Sequence, residues 1–90
     1  MEIRNNEAES RYELVSDDRV VAVADYVVQG DTLVLPHTEV EVELRGRGLG
    51  AVLVKGALDD VRRSGRTVVP ACWFVAEFID RNPEYNDLVA

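Results

Sequence analysis

Apolar residues in the first half of the chain follow the period of β-strands. β-Branched residues dominate 10–15 and 19–29, and the Asp17-Asp18 pair between them favours a turn. Gly30-Asp31 marks a second tight turn, after which 32–35 opens another strand. We therefore predict antiparallel strands joined by short turns.

Strict alternation follows over 38–44. Val40, Val42 and Leu44 are separated by glutamates, which is typical of a half-buried strand with the apolar residues inward and the acids outward. This segment is predicted to complete an antiparallel meander.

The second half changes to a helical period. Apolar residues at helical spacing predict a helix over 49–63 that stops at Ser64-Gly65, and Gly56 inside it indicates close packing on the sheet. A short apolar strand over 67–69 then completes a βαβ crossover, whose outer strands we expect to be parallel. A last helix is predicted over 71–81, begun by Pro70 and ended by Asn82-Pro83.

Length and composition limit this pattern to one domain. The chain has 90 residues, of which 47% are hydrophobic and 30% charged, the balance of a soluble domain rather than a disordered one. We predict a single α+β (α/β) domain over 1–90: an antiparallel β-meander, a βαβ crossover and a C-terminal helix.

Charge and cysteine content exclude several classes. A net charge of −7 argues against nucleic-acid or anionic-membrane partners, and the N-terminus lacks the pattern of a signal peptide. The single cysteine, Cys72, cannot form an internal disulfide, and no Cys/His cluster predicts a metal. We expect a cytoplasmic protein without a metal, as a monomer or a weak homodimer.

A glycine-rich segment between the alternating strand and the helix carries candidate chemistry. It reads Arg45-Gly46-Arg47-Gly48-Leu49-Gly50 and opens a basic stretch in an acidic chain. A helix N-terminus offers free amides and partial positive charge, glycines allow an anion to approach, and arginines add donors. The segment predicts a phosphate site, although it is neither a Walker A loop nor part of a dinucleotide-binding fold. We interpret the later basic residues (Lys55, Arg62 and Arg63) as solvated helix charge.

The order of four segments resembles a shortened branch of the GNAT acetyltransferase superfamily. Arg45-x-x-Gly48-x-Gly50 looks like its pyrophosphate loop, preceded by His37-Thr38-Glu39-Val40. The segments Val69-Pro70-Ala71-Cys72-Trp73-Phe74-Val75 and Asn82-Pro83-Glu84-Tyr85 follow in the same order as in that branch. The resemblance covers residues 36–88 and implies a shortened GNAT-like fold that uses acetyl-CoA.

The resemblance also implies a ligand pose. The pantetheine arm would pair with the backbone of the strand before the loop, at Val40 and Val42, and the loop would hold the pyrophosphate. The implied cofactor-binding residues are Val40, Val42, Arg45, Gly46, Arg47, Gly48, Leu49, Gly50 and Ala51.

Three positions depart from the family pattern. Val42 stands where many members have proline, and Cys72 where many have asparagine. Ile79 falls near the position of the tyrosine that protonates the leaving thiolate in many members. The usual catalytic acid is therefore missing or relocated.

Catalytic candidates come from the remaining reactive side chains. We expect Cys72 in the first turn of the last helix, where it would either accept the acetyl group or line the pocket. His37 is a candidate base that should share a strand face with Glu39, unless the two are only a turn residue and an exposed acid. Tyr85 would replace the lost acid or pack the C-terminus, and Trp73, Phe74 and Phe78 are predicted as core or pocket wall.

Two functions are favoured over a purely structural domain. The first is acetyl-CoA-dependent N-acetyl transfer to a small amine or a protein amine, with an amine acceptor that the residues do not identify. The alternative is a CoA- or acyl-CoA-binding module without efficient turnover.

Overall fold

The computed structural model describes residues 1–90 and confirms the predicted order of strands and helices. The strands are β1 (Glu2–Asn6), β2 (Arg11–Ser16), β3 (Arg19–Gln29), β4 (Thr32–Val40) and β5 (Thr67–Val69). The α-helices are α1 (Leu49–Arg63) and α2 (Trp73–Arg81), and short 3-10 helices occupy Val42–Leu44 and Pro83–Leu88. No helix is both long and apolar enough to span a bilayer.

The five strands form one sheet in the order β1-β2-β3-β4-β5. The first four pair antiparallel, and β5 pairs parallel with β4 through Thr32↔Thr67 to Val34↔Val69, with α1 as the crossover. β1 is not predicted by the sequence pattern, because this short strand has one partly buried apolar side chain, Ile3, among polar and charged residues.

The core lies where α1 crosses the sheet. Leu53, Leu58 and Val61 of α1 are fully buried, and they belong to one cluster with Leu14, Leu33 and Val68 of the strands. A Cβ on Gly56 would lie 2.2 Å from Cγ1 of Ile3. Gly56 therefore permits the close packing of α1 on β1 that the sequence indicated.

A single buried carboxylate ties the outer strands together. The Glu13 side chain is 1% exposed and accepts hydrogen bonds from Arg4, Asn6 and Arg11 at 2.8–3.1 Å. The Asn6 amide holds the pKa of Glu13 low against its burial, and Arg11 and Arg4 assist, so the pKa is about 2. Both oxygens of the buried, charged Glu13 carboxylate are therefore hydrogen-bonded.

A bulge in β4 determines which of its residues face the helices. The β3–β4 register shifts after Asp25↔His37, so that Leu35 and Pro36 together lie opposite Tyr26. Because of the extra residue, odd-numbered side chains face the helices before the bulge and even-numbered side chains face them after it. Leu33 and Leu35 are buried on the helix side before the bulge, and Thr38 lies in a cavity wall after it.

The predicted strand over 38–44 is wrong beyond Val40. The amide of Glu41 donates to Val21 at 2.9 Å, and the chain then turns through the 3-10 helix toward α1. Val42 is 70% exposed rather than inward, whereas Leu44 packs against the core as expected. The alternation persists without a strand: β3 continues beyond Ala22, the partner of Val40, to Arg19, but the chain turns away from it after the Glu41 hydrogen bond.

The predicted start of the last helix is also wrong by two residues. The helix begins at Trp73, and Cys72 is its N-cap with extended backbone angles rather than a residue of its first turn. The Cys72 amide donates to the Leu35 carbonyl at 2.8 Å, and the Ala71 amide donates to the Val69 carbonyl. These bonds keep the chain extended beyond Pro70.

Candidate functional site

The glycine-rich loop turns directly into α1. Gly46 and Gly48 have φ values of 82° and 77°, and Gly48 is the N-cap of the helix. The first helical bond runs from the Val52 amide to the Gly48 carbonyl, so the amides of Leu49, Gly50 and Ala51 have no partner within the helix. Left-handed backbone at two positions explains why glycine is required in this loop.

A cavity of about 410 Å³ opens between this loop, β4 and the start of α2. Its wall is formed by Thr38, Val40, Leu44, Arg45, Gly46, Gly48, Leu49, Gly50, Ala51, Cys72, Trp73 and Phe74. A Cβ on Gly50 would lie 2.8 Å from Cζ of Phe74, so the first turn of α1 and the Phe74 ring are in close contact. We call this space the loop cavity.

The edge of β4 along the loop cavity is not paired with another strand. β5 reaches only Thr32–Val34, and the next contact, from the Cys72 amide, stops at Leu35. The Val40 carbonyl accepts a hydrogen bond from Nε of Arg45 at 3.1 Å, so it points to the open edge. Because backbone direction alternates along a strand, Thr38 exposes its backbone to the same edge.

Cys72 and Thr38 line the loop cavity together with the glycine loop. The thiol is half-buried, and the Thr38 hydroxyl is a buried atom without a hydrogen-bond partner. Burial raises the pKa of the Cys72 thiol, but the nearby Thr38 hydroxyl and the amides of Val75 and Phe74 would donate to a thiolate and outweigh it, so the pKa is lowered. The sequence gives no signal for Thr38, since its direction depends on the bulge.

The predicted residue set divides between the loop cavity and other surfaces. Val40, Arg45, Gly46, Gly48, Leu49, Gly50, Ala51 and Cys72 line the cavity together. Val42 does not line it, and Arg47 lies in a separate surface hollow with Arg19. The Arg47 side chain forms no ion pair, whereas Lys55, Arg62 and Arg63 pair with acids as solvated helix charge.

His37 and Glu39 come together, but outside the loop cavity. Nε2 of His37 is 3.5 Å from Oε1 of Glu39, and both side chains are more than half exposed. They share a strand face as expected, and because side chains alternate along the strand, that face is opposite the one that carries Thr38 and Val40. No described group of three or more His, Cys, Asp or Glu residues is arranged to hold a metal ion.

The aromatic candidates have different roles. The Tyr85 hydroxyl donates to Asp59 of α1 at 2.7 Å, and burial raises the Tyr85 pKa, so this side chain packs the C-terminus. Ile79 is buried in the core, and Phe78 packs against it. Trp73 is 72% exposed and lines the loop cavity with Phe74, so of the predicted alternatives, core or pocket wall, both residues are pocket wall.

Comparison with known proteins identifies the family to which the chain is related. Residues 11–88 match the model of the GCN5-related N-acetyl-transferases. Protein NATD1 of Bos taurus is 40% identical over 67 residues, which cover 73% of this chain and 58% of that protein. Protein NATD1 of Homo sapiens is 39% identical over 67 residues, with coverages of 73% and 58%. The chain thus spans about 58% of the length of these curated relatives.

Two solved structures share the fold. A GCN5-like protein from Staphylococcus aureus superposes with a TM-score of 0.72 at 23% identity, covering 99% of this chain and 87% of that one. The ribosomal-protein-S18-alanine N-acetyltransferase from Escherichia coli gives a TM-score of 0.59 at 22% identity, covering 64% of this chain and 38% of that one. At these identities the likeness concerns the fold alone.

Proposed function

This chain belongs to the GCN5-related N-acetyltransferase family, and on that premise we propose that it binds acetyl-CoA in the loop cavity and transfers the acetyl group to an amine. One observation carries the proposal: a single cavity is lined both by the free amides of a helix N-terminus and by a thiol. Its wall combines a phosphate-binding element with a potential nucleophile. A glycine turn without a ligand would need neither.

The loop supplies the phosphate end of the site. Amides of Leu49, Gly50 and Ala51 add to the partial positive charge of α1, and both favour a pyrophosphate. A Cβ at Gly48 would meet no protein atom within 4 Å, so the space beside this glycine is open to a ligand. Arg45 supplies a guanidinium at the same rim.

The open edge of β4 supplies partners for the pantetheine amides. The Thr38 backbone is free to pair along this edge, and the Val40 carbonyl becomes available if the Arg45 side chain moves toward a phosphate. The Thr38 hydroxyl, which lacks a partner, offers a donor at the acetyl end. The residues present therefore fit a CoA thioester in chemistry.

Cys72 is the nucleophile in the proposed reaction. Its thiolate attacks the thioester carbonyl carbon, the bond from that carbon to the CoA sulfur breaks, and the CoA thiolate leaves and takes a proton from solvent. An amine then attacks the acetyl-cysteine, the acetyl–sulfur bond breaks, and the amine proton is released as the Cys72 thiolate re-forms. The loop cavity holds thioester and thiol together, which supplies proximity.

Intact-mass measurement with acetyl-CoA tests this mechanism. We expect one acetyl mass on Cys72, removed by an amine, and we expect Cys72→Ser to lose both the adduct and the amine acetylation while it still binds CoA. If Cys72→Ser acetylates amines as fast as the parent, Cys72 is a wall residue and amine attack is direct. In that case His37→Ala and Glu39→Gln should leave turnover unchanged, because both side chains lie outside the loop cavity.

A second candidate is a CoA-binding module without turnover. The observation in its favour is that neither Tyr85 nor any other tyrosine lines the loop cavity, so no phenol is placed to protonate a leaving thiolate. Thiol release from acetyl-CoA in the presence of a panel of small amines and peptide N-termini separates the two. Tight CoA binding without adduct or thiol release would establish the module.

A further inference from the structure

A second concave surface adjoins the loop cavity. It has a volume of about 390 Å³ and lies between the start of α1 and the exposed side of α2. Its wall comprises Ala51, Trp73, Phe74, Glu77, Phe78, Arg81 and Asn82. Ala51, Trp73 and Phe74 belong to both spaces, so the two are continuous around the Trp73 side chain. We call this second space the α2 groove.

Trp73 stands beside the phosphate loop because of two packing contacts. A Cβ on Gly50 would lie only 2.8 Å from the Phe74 ring, which places that ring against the first turn of α1. The Phe74 and Trp73 ring centroids are 5.9 Å apart at an interplanar angle of 82°. This edge-to-face contact orients the indole, while 72% of the residue stays exposed.

The proposed function leaves the α2 groove unassigned. In CoA the pyrophosphate has pantetheine on one side and a 3′-phosphorylated adenosine on the other. If pantetheine follows β4 from the glycine loop toward Cys72, the adenosine must leave the loop elsewhere. Two adjoining concave surfaces contain neither Cys72 nor the β4 edge: the α2 groove and the hollow around Arg47. Aromatic side chains line only the α2 groove.

We propose that the Trp73 indole is the stacking platform for the adenine ring of CoA, a proposal that rests on the proposed function of the loop cavity. A purine stacks well on an exposed, oriented indole, and stacking needs no other base-specific contact. Phe74 and Phe78 give the α2 groove an apolar floor, and the volume of the groove lies within the range of ligand pockets.

Binding measurements with CoA and its fragments test the assignment. Trp73→Ala should weaken CoA and adenosine 3′,5′-bisphosphate by about tenfold or more, and should change the affinity for 4′-phosphopantetheine less than twofold. Trp73→Phe should retain part of the CoA affinity. Val52→Ala, an exposed α1 residue outside both spaces, is the control and should bind like the parent.

Because Trp73 is the only tryptophan, its fluorescence gives an independent signal. Adenosine 3′,5′-bisphosphate should quench it, and the bisphosphate should protect the indole from acrylamide.

Each contrary result overturns the assignment in a recognisable way. Equal losses for CoA and 4′-phosphopantetheine would make Trp73 a wall of the pantetheine site. A Trp73→Ala protein that keeps full CoA affinity but has a raised KM for the amine would assign the α2 groove to the acceptor. Failure of the parent protein to bind CoA at all would reject the proposed function, and with it this inference.

Discussion

Polar groups are hydrogen-bonded in the outer strands, whereas several polar groups around the loop cavity have no partner. Around β1 and β2, the buried Glu13 carboxylate is fully hydrogen-bonded by Arg4, Asn6 and Arg11. Around the loop cavity, helix amides, the Thr38 hydroxyl and one edge of β4 lack partners. Satisfied groups stabilise the fold, whereas groups left open at a concave surface indicate a ligand.

The largest effect should come from filling the space beside the phosphate loop. Gly48→Val should weaken CoA binding by about a hundredfold, ~3 kcal/mol, because a branched side chain would occupy the open space at the free amides. Calorimetry on the folded protein measures the loss.

Gly65→Val is the matched control for Gly48→Val. Its φ of 74° is close to the 77° of Gly48, and a Cβ there also meets nothing within 4 Å. Both variants should lose ~1–3 kcal/mol of stability through backbone strain, and only Gly48→Val should lose CoA. Unchanged CoA affinity in Gly48→Val would contradict the phosphate-loop assignment.

The Glu13 cluster should respond to pH, not to CoA. The folded pKa of about 2 lies below the ordinary 4.5, so the stabilisation is fully present above pH 4.5 and is lost as pH falls toward 2. The shift corresponds to stability on the order of 3 kcal/mol. Urea unfolding should show Glu13→Gln destabilised at pH 7 by about 2–3 kcal/mol, with the difference vanishing near pH 2.

The matched variant for Glu13→Gln is Glu2→Gln on the exposed end of β1, which should stay within ~0.5 kcal/mol of the parent. A Glu13→Gln deficit that is the same at pH 7 and pH 2 would show that shape, not charge, makes the contribution.

A smaller effect is expected where α1 meets β1. Gly56→Ala adds a Cβ 2.2 Å from Ile3, and this overpacking should exceed the ~1 kcal/mol gained in helix propensity and leave a net loss of about 1–2 kcal/mol. In the double variant Gly56→Ala/Ile3→Ala the shorter side chain at position 3 removes this clash, so part of the lost stability should be recovered. Additive losses in the double mutant would indicate that α1 shifts rather than clashes.

The smallest effect separates the two loop arginines. Arg45 lines the loop cavity and Arg47 does not, so Arg45→Gln should weaken CoA binding by ~0.5–1 kcal/mol and Arg47→Gln by less. The Arg45 loss should shrink as salt is raised. Dephospho-CoA tests which phosphate is involved, since equal losses for CoA and dephospho-CoA would exclude the 3′-phosphate as the partner of Arg45.

Local patterns predicted those parts of the fold that depend on local rules. The bounds of α1 follow from its apolar face and the Ser64-Gly65 stop, and β5 follows from a short apolar run before Pro70. The cavity residues on the glycine loop were likewise identifiable, because helix N-termini and glycine torsions are local properties.

Tertiary context determined the rest. β4 ends at Val40 because the chain turns away from β3 into the 3-10 helix, although the alternation continues through Val42. The Cys72 amide bonds to Leu35, a residue far away in sequence, and so the start of α2 is delayed. The unpartnered Thr38 hydroxyl and the exposure of Trp73 could not be predicted from the sequence, since both depend on how β4 and α2 are positioned.

The bulge at Leu35 and Pro36 makes β4 sensitive to its own length. Side chains on a strand alternate, so one extra residue acts like a change of reading frame for everything that follows. Removing a residue there would exchange the two faces, placing His37 and Glu39 in the loop cavity and turning Thr38 and Val40 outward. A single-residue deletion would therefore change the side chains that β4 presents beside the Cys72 thiol from a hydroxyl and an apolar group to an imidazole and a carboxylate.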